Sequence, residues 1–322
     1  MKAGRVVTWS PSVTLVPTHG CFNACGYCGF REPPNPAEPL ADALSNEQAC
    51  ALLEARPLAS EVLLLSGEVA PASPHRGRWF ERLHRLSQLA LAAGRLPHTN
   101  AGPLSRREMA ILGRLNPSMG LMLEGLGPAY DRLHRHAPSK RLEVRLAQLE
   151  QAGRLGIPFT TGLLLGVGES HADRIQALEL LRLIQQQWGH IQEVILQPFR
   201  PSGHSAEPLS SDDCQALLPV IAAARDILPP EVHLQLPPNL WPIRHLAQAL
   251  EAGINDLGGI DTHDVINPAY SQPAPKQLAA VLAKAGWQLR PRLCVHDAWI
   301  PGLPLDLRRK AAACRRRLIH SC

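Results

Sequence analysis

Pro17-Thr-His-Gly-Cys-Phe-Asn-Ala-Cys-Gly-Tyr-Cys-Gly-Phe30 follows directly on the apolar stretch Val13-Thr-Leu-Val16. Its three cysteines, Cys21, Cys25 and Cys28, are spaced C-x-x-x-C-x-x-C. Soft thiolates at such spacing can hold three irons of a cubane cluster and leave the fourth without a protein ligand. An open iron is a place where a small molecule can bind. Gly20, Gly26 and Gly29 flank or interleave the cysteines, where a loop must wrap closely around a compact inorganic core.

Two other readings compete. A zinc knuckle would draw a remote histidine or cysteine into a tetrahedron, but none of Cys50, Cys214, Cys294, Cys314 or Cys322 forms the second pair usual in such sites. A thioredoxin-like Cys25–Cys28 pair would leave Cys21 idle. The triplet, with aromatic Tyr27 just before its last cysteine, resembles the signature of the radical S-adenosylmethionine (SAM) enzymes, in the strand-to-loop context that gives such a motif meaning. The resemblance implies a 4Fe-4S cluster on Cys21, Cys25 and Cys28, SAM on the open iron, and a SAM contact for Tyr27.

Outward from the loop, short apolar runs alternate with helical patterns along the chain. Strands are expected at Val13–Val16, Glu61–Ser66, Pro97–Asn100, Gly120–Glu124, Phe159–Gly166, Glu193–Phe199, Val232–Leu236 and Ile254–Gly258. Helices are expected at 46–56, 78–94, 105–114, 139–155, 171–187, 211–227, 241–252 and 275–286. Ser45 with Gln48, and Ser105 with Glu108, have capping-box spacing. Gly94, Gly153 and Gly253 stand where left-handed helix caps are used. Eight strand–helix units with nearly continuous apolar strands imply a (β/α)8 barrel rather than an open sheet. The expected organisation is a barrel over residues 1–287, its cluster loop at 17–31, and a C-terminal extension with a basic tail at 288–322. Pro33–Pro39 reads as a lid or surface connection.

Chemistry in such barrels gathers at the C-terminal ends of the strands. The second strand ends in Ser66-Gly-Glu68, which resembles the Gly-Gly-Glu segment that holds the methionyl ammonium in radical SAM enzymes, with Ser in the first place. Glu124 closes the fourth strand, a costly place for an unpaired acid. Its partner is either a SAM group or one of Arg132 and Arg135. Gly162-Leu-Leu-Leu-Gly-Val-Gly-Glu169 resembles the family's adenine-side segment, which implies SAM contacts at Gly162 and Gly166. Asn100, Gln197, Gln235 and Asn239, together with Asp256, are strand-end polar groups suited to a polyhydroxylated, uracil-like ligand. The loop His134-Arg-His-Ala-Pro-Ser-Lys140 reads either as a solvated connection into a helix capped by Ser139 or as a clamp and proton-transfer element. His134, His136 and Asp256 are the catalytic candidates.

The resemblance narrows further. Cys21 to Arg31, Leu63 to Val69, His134 to Lys140, Ile157 to Gly166, Gly189 to Ile195, Leu236-Pro-Pro-Asn-Leu240 and Asp256-Leu-Gly-Gly-Ile260 are similar to the first subunit of deazaflavin (FO) synthases, the CofG type. It implies a substrate made of a uracil bearing a ribitylimino group and a tyrosine-derived 4-hydroxybenzyl group. Hydrogen abstraction by a SAM-derived radical is followed by closure of the central ring, with loss of ammonia. It also implies a CofH-type second subunit that supplies the substrate, and an electron donor such as ferredoxin or flavodoxin.

Bulk properties agree. Of 33 Lys and Arg, six lie in the last fifteen positions, which hold no acid; the rest of the chain carries 27 against 28 Asp and Glu. A uniformly basic nucleic-acid face is not indicated, and 4% aromatic residues argue against a stacking platform. No apolar run has membrane-spanning length, and Met1 to Ser10 lacks the apolar core of an export signal. Eight cysteines in an unexported chain read as reduced thiols, so a cytoplasmic location is expected, with neither nucleic acid nor membrane as partner.

Overall fold

A computed structural model describes residues 5–35, 38, 40, 42–200 and 209–320. The expected lid, Pro33–Pro39, lies partly outside them, and Cys322 wholly so. Strand β5 (Phe159–Leu165) shows why this chain closes into a barrel: all seven of its residues are buried, as a strand covered on both faces requires. In β2 (Glu61–Leu65) the alternation of a strand sends Val62 and Leu64 outward, where they pack with Leu53, Leu86 and Ala90 of the covering helices. Each such side chain contributes about 1.5–3 kcal/mol.

All strand pairings are parallel. Strands β2, β3 (Leu96–Asn100), β4 (Ser118–Gly120), β5, β6 (Ile191–Pro198), β7 (His233–Gln235) and β8 (Asp256–Ile260) follow in order, and β1 (Arg5–Leu15) closes the ring between β8 and β2. Between them run α1 (Asn46–Glu54), α2 (Arg76–Ala92), α3 (Arg106–Leu112), α4 (Pro128–Leu133), α5 (Leu142–Arg154), α6 (His171–Trp188), α7 (Ser211–Ile227), α8 (Leu246–Ala252) and α9 (Pro275–Lys284). Both expected capping boxes are formed, at α1 and α3. No helix of the described residues is long and apolar enough to cross a membrane.

Several features differ from the sequence expectation. Strand β1 begins at Arg5, because its first half, Arg5 to Trp9, pairs with a ninth strand, β9 (Trp287–Pro291). Helix α4 was not expected, and helix α10 (Leu305–His320) packs on the barrel where the tail was read as a solvated helix end. Helix α5 starts at Leu142 after a short 3-10 turn, and Ser139 is not its cap. Gly153 lies inside α5, its Cα facing the Trp188 ring, while Gly94 has the positive φ expected of it.

Helix α10 seals the N-terminal end of the barrel. Leu307, Ala311, Cys314 and Leu318 recur at helical spacing and pack with Leu96, Leu293 and Val295. Its Arg308 and Arg309 stay exposed, so the basic run lies on the face opposite the cysteine loop. Cys294 and Cys314 are separate buried thiols whose sulfurs lie near the carbonyls of Leu96 and Ser60.

Candidate active site at the C-terminal rim of the barrel

The cysteine loop leaves the end of β1 and is pinned at both ends. Gly20 and Glu32 bridge as parallel neighbours, and the Cys21 amide donates to the Glu32 carbonyl at 3.0 Å. The loop then zips onto the end of β2: the Gly67 amide donates to Thr18 O at 2.7 Å, and the Phe22 amide donates to Glu68 O at 3.0 Å. Gly67 permits that approach, since a Cβ there would sit 2.3 Å from the Gly20 carbonyl oxygen. Gly67→Ala is therefore expected to cost about 1–3 kcal/mol of folding stability and to lower iron incorporation. Chemical denaturation and iron analysis check this against Gly77→Ala, where a Cβ meets nothing within 4 Å.

One cleft gathers most of the residues singled out in the sequence. Cys21, Cys25, Cys28, Tyr27, Ser66, Gly67, Glu68, Asn100, Glu124 and Gln197 all line it. All three thiols are free, and burial pushes the Cys25 thiol up to about 11, against the pull of nearby Lys140. Three unpaired thiols on one wall suit a soft metal cluster better than they suit each other.

Opposite the thiols stand two carboxylates and two cations. Glu68 accepts from Asn23 Nδ2 at 3.0 Å and faces Arg145 Nη2 at 3.5 Å. Arg145 is only 2% exposed, and its Nε has no partner among the described residues. Glu124 is ion-paired with Lys140, which corrects the sequence expectation of Arg132 or Arg135. Burial alone would raise the Glu124 carboxyl, but Lys140 and then Arg145 hold it below the ordinary carboxylate range. Glu124 also has φ +75°, the one left-handed non-glycine residue among those described, a conformation that costs energy and clusters at functional sites.

Tyr27 bridges the cysteine loop to this pair. Its hydroxyl lies 3.1 Å from His134 Nε2 and 3.5 Å from Glu124 Oε2. Burial, then the Glu124 charge, raises the phenol above its usual range. Burial likewise pushes His134 down to about 4, so the ring is a neutral partner for Tyr27.

The remaining expectations fall elsewhere. The His136 side chain is exposed and meets Arg135, while its carbonyl accepts from the Ala24 amide of the cysteine loop at 2.8 Å. Asp256 begins β8 at the far end of the barrel, where its carboxylate takes two bonds from Arg292 at 2.5 and 2.6 Å. It also lies close to His233 and His296, but Thr8 and the Gly258 amide occupy it further. Ser66 lines the cleft, yet its hydroxyl is taken by Trp79 Nε1 at 2.9 Å and by its neighbour's carbonyl. From β5 it is Leu164, not Gly162, that lines the cleft; Gly162 lies under the Met122 sulfur, and the Gly166 amide donates to Glu169.

Sequence reading gave no role to Asn23 or Arg145, and took Lys140 only as part of the basic loop after the fourth strand. Arg145 and Gln148 left a trace: both are polar residues on the buried face of the amphipathic α5.

A second cavity continues from the cleft into the barrel and holds Gln235 and Asn239, with Asn239 Nδ2 donating to Asp264 at 2.7 Å. Leu65, Asn100, Met122, Gln197 and Ile266 line both cavities and form the seam between them.

Residues 15–181 match the profile described as Radical SAM superfamily. Two curated relatives, each named 7,8-didemethyl-8-hydroxy-5-deazariboflavin synthase, are 50% identical. That of Synechococcus elongatus aligns over 97% of this chain and 93% of its own, and that of Gloeobacter violaceus over 91% and 90%. Among solved structures, the FeFe-hydrogenase maturase HydG superposes with a TM-score of 0.71 at 16% identity, covering 96% of this chain and 69% of its own. Methylornithine synthase (PylB) gives 0.61 at 16% identity, over 89% and 84%. At that identity these two speak for the fold alone.

Proposed function

The chain belongs to the radical SAM superfamily and, within it, to the 7,8-didemethyl-8-hydroxy-5-deazariboflavin synthases, and on that footing we propose how its own residues divide the work of closing the deazaflavin ring. Cys21, Cys25 and Cys28 ligate one 4Fe-4S cluster, SAM lies in the adjoining cleft, and the inner cavity receives the substrate. That substrate is the uracil with its ribitylimino and 4-hydroxybenzyl groups. The observation that carries this reading is the seam, where one set of side chains faces both the cysteine-lined cleft and an amide-bearing chamber.

When bound, the cluster and SAM supply homolytic hydrogen abstraction. The protein's part is to bind and orient. Glu68, steadied by Asn23 and Arg145, accepts hydrogen bonds from the methionyl ammonium, and the Arg145 and Lys140 cations balance the carboxylate charge in the cleft. Tyr27, held by His134, packs beside the cluster as a neutral hydrogen-bond donor. Asn100 and Gln197 at the seam, with Gln235 and Asn239 deeper along the mouth, hold the polar edges of the substrate. The surrounding barrel keeps the reacting atoms close and water out. A CofH-type enzyme provides the substrate as a separate protein, and ferredoxin or flavodoxin provides the electron. The oxygen-sensitive cluster and the free thiols favour the cytoplasm.

Anaerobic turnover tests this. Reconstituted protein supplied with SAM, a reductant and the ribitylaminouracil–tyrosine adduct should yield a fluorescent deazaflavin, ammonia and 5′-deoxyadenosine. Absence of the deazaflavin overturns the reading. Glu68→Gln is expected to weaken SAM binding about ten- to a hundredfold, the worth of a hydrogen bond to a charged group. Equilibrium binding checks this, and unchanged affinity removes Glu68 from the SAM site.

A further inference from the structure

Below the seam the barrel becomes a shaft of mixed wall, aliphatic at Leu63, Ile195 and Leu257 and polar at Thr14, His98 and Thr160, with a charged end. Strand alternation stacks inward-facing residues in levels: β2 presents Glu61, Leu63 and Leu65, and β6 presents Glu193, Ile195 and Gln197. Above that end stand Leu63 and Ile195, with Thr14 and His98, the register partners of Leu63 on β1 and β3, and Thr160 of β5 on the same wall. The lowest level holds Glu61, Glu193 and Arg292.

The polar groups at the end are unequally satisfied. Arg292 is committed to Asp256 and, at 2.7 Å, to Glu193, which also accepts from Thr160. Glu61 has no cation of its own. It adjoins Gly259 and the hydroxyls of Ser10 and Ser12, both buried and both without another hydrogen-bond partner among the described residues. Burial raises the Glu61 carboxyl to about 7 against the pull of Arg292. Neutral or charged, it faces the chamber as a group that can bond one hydroxyl.

Resting on the substrate reading above, we propose that this shaft takes the 4-hydroxybenzyl end of the substrate, with the ring against Leu63 and Ile195 and its hydroxyl on Glu61. Glu61 is then the residue that selects a tyrosine-derived over a phenylalanine-derived substrate. A phenol suits the shaft because it is flat and apolar along its length and polar only at its tip. The ribityl chain needs a partner for each of its successive hydroxyls. Its partners are at the mouth, where Gln235, Asn239, Asp264 and Asn267 offer closely spaced polar atoms.

The test compares the tyrosine-derived adduct with its phenylalanine-derived analogue, which lacks only the para hydroxyl, in wild-type enzyme, Glu61→Leu and Glu61→Gln. Wild type is expected to favour the hydroxylated adduct in kcat/KM by at least about a hundredfold, as sites built to bond a hydroxyl do. Glu61→Leu should bring the ratio within about tenfold by losing activity on the hydroxylated adduct alone. Its iron and sulfide content after reconstitution is measured beside it, to show the cluster end intact. If Glu61→Leu does not fold, Glu61→Gln must lower the ratio at least about tenfold, because an amide bonds the phenol more weakly than a carboxylate. Deazaflavin formation without preference in wild type, or full preference in the variants, overturns this inference alone. No deazaflavin from wild type overturns the substrate reading and this inference with it.

Discussion

Cys28→Ala is expected to leave the barrel folded and to abolish both the visible absorption of the reconstituted cluster and any release of 5′-deoxyadenosine. Cys28 is the most exposed of the three thiols and lies outside the barrel core, so the apo variant should unfold within about 0.5 kcal/mol of wild type. The loop that carries it is fixed independently of metal, by the Gly20–Glu32 bridge and by the bonds from Phe22 and Gly67. Loss of function therefore cannot be traced to loss of the loop. Removing one thiolate from three leaves the cluster with two protein ligands and no geometry for a vacant fourth iron. Cys50→Ala is the matched control, since Cys50 is exposed on α1, far along the chain from the loop. A Cys28→Ala protein that still holds four irons and cleaves SAM would remove the triplet from its assigned role.

The triplet was legible because its chemistry is local: the spacing of three thiols is a property of the chain. The eight barrel strands were legible for a related reason, since nearly continuous apolar runs such as Val62 to Leu65 have nowhere to lie except between two covered faces. Strand β9 was not, because its alternation of half-buried and exposed residues makes a weak signal until β1 is known to extend back to Arg5. Helix α10 hid its apolar stripe behind six basic residues, which dominate the composition of the tail.

Site residues divide in the same way. Glu68 and Tyr27 follow from their place beside the cysteines, whereas Arg145 reaches the cleft from a helix that sequence alone could orient only by its buried face. Asp256 misled because strand-end position was judged from an expected strand at 254–258. The observed β8 begins at Asp256, and this puts the carboxylate at the opposite end of the barrel from the thiols. Glu124 was placed on the rim correctly, but its partner was sought among nearby arginines on α4 and in the loop after it. The turn at Pro138–Lys140 instead carries Lys140 back over the cleft.

That pair supports the second large effect. Glu124→Gln should destabilise the protein by about 3–5 kcal/mol, because it leaves the Lys140 ammonium buried beside Tyr27 without its counter-charge. The double variant Glu124→Gln/Lys140→Met should recover most of that loss, since a neutral pair carries no stranded charge and methionine keeps the length of the lysine stem. Thermal or denaturant unfolding of the four proteins in the cycle measures the coupling directly. Activity separates structure from chemistry. Glu124 lines the SAM cleft and holds a left-handed backbone conformation that packing of the rim alone gives no reason to retain. If the carboxylate acts on SAM, the double variant stays at least about tenfold down in SAM affinity although it is as stable as wild type, because a hydrogen bond to a charged group has been lost. If SAM binding and turnover return along with stability, the Glu124–Lys140 pair is a strut for the loop over Tyr27, and the burden of holding SAM passes to Glu68 and Arg145.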